Sequence, residues 1–124
     1  MSIEQEIYDL SLQAAADYYT TSYQFYLMKI NTSGQFELAG AANAATVGPL
    51  QNKPKQYEAA SVRQVGISKV VCGGVVACGA KVTGDSASKA VTAAATQRYV
   101  GTALEAGISG RVISILMDHG YIPA

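Results

Sequence analysis

From Tyr57 onward, short runs of β-branched residues recur at intervals of roughly 8–12 residues, each closed by glycine or a small polar cluster, the pattern of a small all-β domain. Val62 to Val71 is the longest run and is interrupted by Gly66, which marks a bulge or bend. Gly73-Gly74 turns the chain into Val75-Val76-Ala77. Gly79 leads into Lys81-Val82-Thr83, and Gly84 to Ser88 forms another turn. Lys89 to Thr92, Tyr99 to Leu104 and Arg111 to Met117 are the closing strands, the last with Ile113, Ile115 and Met117 on one face. A Val-Gly step occurs at Val47-Gly48, Val65-Gly66 and Val100-Gly101, where glycine lets strands bend sharply. The expected architecture is mainly β: a small glycine-rich β-barrel or β-tulip-like domain.

Upstream the signals differ. Tyr23 to Ile30 carries large residues on both faces and reads as a buried strand. Asn31 to Gly34 is a turn, and Gln35 to Ala39 is its hairpin partner. Pro49 and Pro54 bracket a segment that admits only a short or edge strand. Before these, Ile3, Ile7, Leu10 and Ala14 follow helical spacing behind a Ser2–Gln5 capping box, with Glu4, Glu6 and Asp9 near the helix start. The reading is a short amphipathic helix or arm over residues 1–21, ending its helical part near Asp17, and a β-domain over 22–124.

The 124 residues suffice for one domain with its own core. Nine basic and nine acidic residues cancel, so no positive excess is present to neutralise phosphates and nucleic acid is excluded as a general partner. Charged residues make up only 15% of the chain against 49% hydrophobic, a quiet surface that suggests area hidden by partners. No basic segment precedes an apolar one at the N-terminus, and no apolar run approaches the ~18 residues a membrane helix needs. These features predict synthesis in a cytoplasm and no membrane contact.

Residues capable of chemistry are sparse. His119 is the only histidine, beside Asp118, and both are expected in a tail after the last strand, where triad geometry is hard to build. Cys72 and Cys78 fit no metal or redox spacing and read as two small buried thiols, with a disulfide across the short loop as the other option. Glu37, Glu58, Asp85, Glu105 and Asp118 are scattered near turns, while Glu4, Glu6, Asp9 and Asp17 read as the solvated face of the helix. Gly79-Ala80-Lys81 lacks the rest of a phosphate loop, and no turn displays a lysine as a biotinyl or lipoyl carrier would. The expectation is no enzyme, no cofactor and no metal.

Tyrosine is unevenly placed. Tyr8, Tyr18, Tyr19, Tyr23 and Tyr26 fall within nineteen consecutive residues, and no lysine or arginine precedes Lys29. Tyrosine combines large contact area with a polar handle and is enriched at protein interfaces. Single-strand nucleic-acid binding would interleave basic residues. The contact candidates are therefore Ile3, Ile7, Leu10, Tyr18, Tyr19 and Tyr23.

Three stretches carry a resemblance: Val47 to Pro54 (Val-Gly-Pro-Leu-Gln-Asn-Lys-Pro), Val62 to Gly66, and Val71 to Thr83 with its Gly73-Gly74 hairpin. Lys89-Ala90-Val91, Tyr99 to Glu105 and Gly110 to Leu116 continue it in the same order. Together, from about Thr21 to Met117, they resemble the capsid decoration, or cement, proteins of tailed phages. The resemblance implies a β-module on the outer surface of a virion head, made in the host cytoplasm. It also implies a homotrimer that binds the major capsid protein and staples neighbouring subunits, with no catalytic residue. The alternative from the residues is a carbohydrate- or host-surface-binding β-module of a virion, using exposed tyrosines on loops.

Overall fold

The computed structural model describes residues 5–41 and 44–123. Among them, nine strands form two antiparallel sheets: β1 (Gln5–Gln13), β2 (Leu27–Ile30), β3 (Phe36–Leu38), β4 (Thr46–Pro49), β5 (Ala59–Val71), β6 (Lys81–Gly84), β7 (Ala90–Thr92), β8 (Arg98–Ala103) and β9 (Val112–Tyr121). The larger sheet has the order β1-β5-β9-β8-β6-β7 and the smaller the order β3-β2-β4. The fold is mainly β, with no helix among the described residues.

The expected N-terminal helix is instead strand β1, antiparallel to β5 from Gln5↔Ile67 to Gln13↔Ala59. An isolated helix of this length is marginal in water, whereas β5 offers a long edge whose backbone groups need partners. Leu10, Leu12 and Ala14 alternate with exposed Ser11 and Gln13, so a period-2 stripe faces the core. Two register shifts around Tyr8 interrupt the β1–β5 ladder. Asp9 is no solvated carboxylate. It accepts the Arg63 Nε–H at 2.9 Å, in a largely buried ion pair that ties β1 to β5. Ser2 to Glu4, and with them the capping box, lie outside the described residues.

A second correction concerns closure: neither sheet closes into a barrel. Single-residue bridges, Ala14↔Phe36, Leu50↔Val62 and Cys72↔Ala90, link the sheet edges without a continuous ladder. The linking strands β3 and β7 have only three residues each, too short to carry a ladder around. Two core clusters result. One, around Phe36, Met28, Leu50 and Val62, lies under β1, β2 and the start of β5. The other, around Leu27, Val70, Val82, Val100, Ile113 and Ile115, covers the inner face of the larger sheet.

Each Val-Gly step coincides with a register shift in a ladder, at Gly48 against β2, Gly66 against β1 and Gly101 against β9. Gly66 has φ +116°, a region that side-chain-bearing residues avoid. At Gly48 a Cβ would collide with the Arg63 carbonyl, so β4 packs on β5 only without one. The following residues complete that junction. Leu50 is fully buried, Gln51 Nε2 donates to Ser68 Oγ at 2.9 Å, and Asn52 bonds the backbone of both Ala59 and Ser61.

The strand expected over Tyr23 to Ile30 begins only at Leu27. Phe25 adopts φ +69°, its amide donates to the Leu50 carbonyl, and its own carbonyl accepts from Val71 N. The preceding residues therefore turn rather than extend. At the other end, β9 runs to Tyr121, so Asp118 and His119 lie in the last strand and not in a tail.

Candidate interaction surfaces

The six candidate contact residues have different surroundings. Ile3 lies outside the described residues, and Ile7 is in β1. Leu10 and Tyr23 are half-buried against the core cluster that contains Tyr18. Tyr18 is only 4% exposed. Its ring meets Tyr23 edge-to-face at 5.7 Å, and Tyr23 meets Tyr26 likewise at 5.1 Å, the geometry favoured by the ring quadrupoles. Burial pushes the Tyr18 phenol pKa up, against a hydrogen bond with the Leu38 backbone that lowers it.

Tyr19 is the exposed member of the group. Asp17 holds its turn by accepting from the Thr20 hydroxyl at 2.7 Å and the Tyr19 amide at 2.8 Å, and these bonds, the hydroxyl first, lower the Asp17 carboxyl pKa. Lys55 Nζ lies 5.3 Å from the Tyr19 ring centroid, and Tyr57, also exposed, stands in the same neighbouring loop. The structure thus packs Tyr18, Tyr23 and Tyr26 into an aromatic ladder and leaves Tyr19, and Tyr8 on β1, exposed.

The chemistry-bearing residues do not converge. Asp118 pairs with Lys81 at 3.0 Å, while the His119 Nε2–H donates to the Val47 carbonyl at 2.6 Å. Cys72 is buried, its thiol pKa raised first by burial and then by Glu105, whereas Cys78 is exposed, contrary to the expectation that both lie inside. Both thiols are free. A groove of about 390 Å³ opens between β6, β8, β9 and the start of β4, with Thr83, Tyr99 and His119 on its walls.

Sequence reasoning missed a group of exposed apolar side chains. It lies on the larger sheet, where Ile67 faces Leu116 and Val71 faces Val112 across the β5–β9 ladder, with Lys69 opposite Ser114 between them. Leu104, Val112 and Leu116 are all exposed there. The signal was present in Val112-Ile113-Ser114-Ile115-Leu116, a run apolar on both faces, which signals a strand covered on both sides.

No protein-family model matches the chain, and no curated protein matches it in sequence. Among solved structures it is similar to the head fiber gp8.5 N base of bacteriophage phi29, with a TM-score of 0.66 over 90% of this chain and 93% of that one. The two share a fold. At 14% identity the likeness is one of architecture.

Proposed function

We propose that this chain is a structural protein of a phage head, one that decorates the outer capsid surface and cements neighbouring major capsid protein subunits. The observation that carries this reading is the fold shared with the phi29 head fiber base across nine-tenths of both chains. The order of segments from Val47 to Leu116, which resembles capsid decoration proteins, supports it independently. In this reading the protein is a homotrimer made in the host cytoplasm. It performs no catalysis, needs no cofactor or metal, and contacts neither nucleic acid nor membrane.

Attachment would come from buried area multiplied over many copies, so each contact can be modest. Tyr19 is displayed for contact, while Leu10, Tyr18 and Tyr23 hold its segment in place from beneath. Ile3 and Ile7 belong to the same N-terminal segment and would extend the contact.

The test is co-sedimentation of the purified protein with expanded heads that lack it and with unexpanded procapsids. Saturable binding to expanded heads alone is expected, weakened severalfold by Tyr19→Ala. Absence of binding to either particle would overturn the proposal. A glycan array then tests the alternative carbohydrate-binding module, for which the exposed Tyr19 and Tyr57 on adjacent loops are the supporting observation.

A further inference from the structure

The groove between β6, β8, β9 and the start of β4 has a volume of about 390 Å³, within the ~300–1,000 Å³ typical of small-molecule sites. Thr83, in β6, lines it and is only 3% exposed. Among the described residues, every sealed side-chain oxygen and nitrogen has a hydrogen-bond partner. Ser68 and Ser88, equally buried, engage Gln51 Nε2 at 2.9 Å and Gly40 N at 2.8 Å. The Thr83 hydroxyl has no such partner among the described residues. The part of this residue left open is therefore the hydroxyl itself, facing the groove. Valine would serve packing and strand propensity equally well at this position, without the cost of desolvating a polar group.

The rest of the lining narrows what the groove can hold. His119 gives its Nε2–H to the Val47 carbonyl at 2.6 Å, which leaves Nδ1 of the neutral ring as an acceptor. The charges nearby are already answered. Lys81 Nζ reaches Asp118 at 3.0 Å and Thr102 Oγ1 at 2.8 Å, and Arg98 is likewise engaged within the chain. Tyr99, Val100 and Ala45 supply apolar wall. The Tyr99 ring is held in place: Lys81 Nζ lies 4.8 Å from its centroid, and its phenol end occupies the space that a Cβ on Gly120 would need.

We infer that this groove binds a neutral sugar unit, with the Thr83 hydroxyl and His119 Nδ1 holding sugar hydroxyls and Tyr99 walling the C–H surface of the ring. A sugar hydroxyl both donates and accepts, so it satisfies Thr83, which does the same, and can also donate to Nδ1. An anion would need a cation without a partner, and the lining offers none. A purely apolar ligand would seal the Thr83 hydroxyl with its hydrogen bond unmade. A pyranose carries hydroxyls at its rim and C–H groups on its faces, the mixture this lining matches. The inference goes beyond capsid attachment, and it concerns a different place from the exposed Tyr19 and Tyr57.

Amide-detected NMR titration of the full chain tests this, with glucose, galactose and N-acetylglucosamine as neutral probes and inorganic phosphate as the anionic one. The expected result is saturable shifts at Thr83, Tyr99 and His119 with at least one sugar, and none with phosphate. Thr83→Val should weaken that binding at least about fivefold, the loss of one hydrogen bond. Its melting temperature should be no lower than wild type, because the hydroxyl has no partner in the chain to lose. Ala45→Phe, at an exposed position on the rim, should block the groove without touching Thr83, and decides the matter if Thr83→Val fails to fold. No shift with any of these sugars, shifts confined to Tyr19 and Tyr57, or sugar binding left intact by Thr83→Val would overturn the site. A response to phosphate alone would overturn the class of ligand. Head binding by Thr83→Val should equal wild type, so failure here leaves the capsid reading standing, whereas its loss would reassign the groove to the capsid.

Discussion

Tyr18 and the two cysteines show how position in this fold sets the chemistry of single residues. The Tyr18 phenol is buried under β3 and is held neutral, so its pKa in the folded chain lies above the unfolded value near 10. Stability from this group is fully present below pH 10 and falls as pH rises through the folded pKa, because the unfolded chain releases its proton first. An ultraviolet titration should therefore show one tyrosine ionising later than the rest, and Tyr18→Phe should remove that late step. Thiol labelling tests the cysteines. A maleimide should modify Cys78 in the native protein and reach Cys72 only when the chain unfolds, since Cys72 is buried with a raised pKa. Rapid labelling of both would contradict the packing around Gly107 and Ile113.

At the scale of elements, β1 carries most of the tension between local pattern and tertiary structure. Its Asp9–Arg63 pair is largely buried, and Arg63 Nη1 also donates to the Ile67 carbonyl at 3.0 Å. Removing the Asp9 carboxylate takes a close anionic partner from a largely buried guanidinium. Asp9→Ala should therefore cost about 3 kcal/mol of stability, read from urea unfolding midpoints at constant slope. The strands from β5 to β9 were legible because glycine, Asn and Asp turns punctuate β-branched runs, as at Gly84-Asp85-Ser86. Asp85 stabilises that turn by accepting from Ala87 N and Lys89 N, both at 2.9 Å. The N-terminal strand was hidden, because Ile7, Leu10 and Ala14 satisfy helical spacing and only pairing with β5 selects the alternation of Leu10, Leu12 and Ala14. The tyrosine cluster was visible as a concentration of interface-prone residues, but which ring is displayed depends on packing. Sequence spacing does not separate the buried Tyr18 from its exposed neighbour Tyr19. The open sheets were equally hidden, since closure depends on β3 and β7 being three residues long, a length set by their partners.

For the molecule as a whole, the low charge and the exposed apolar side chains of the larger sheet belong to one account. With zero formal charge, the chain gains little from long-range steering, so in the proposed reading attachment would rest on buried area. Raising the ionic strength should then leave head binding nearly unchanged, because screening weakens only charge-driven contacts. A steep fall with salt, measured in the same co-sedimentation assay, would point to a charged docking site instead. The architecture is shared with the phi29 head fiber base, and the virion reading built on it is the proposal to be tested. A cryo-electron microscopy reconstruction of mature heads, with and without the gene for this chain, tests decoration most directly. The account predicts density fitted by the two-sheet fold on the outer surface, bridging capsid subunits, and absent from heads lacking the gene. Identical reconstructions, or density confined to the head interior or the tail, would contradict it.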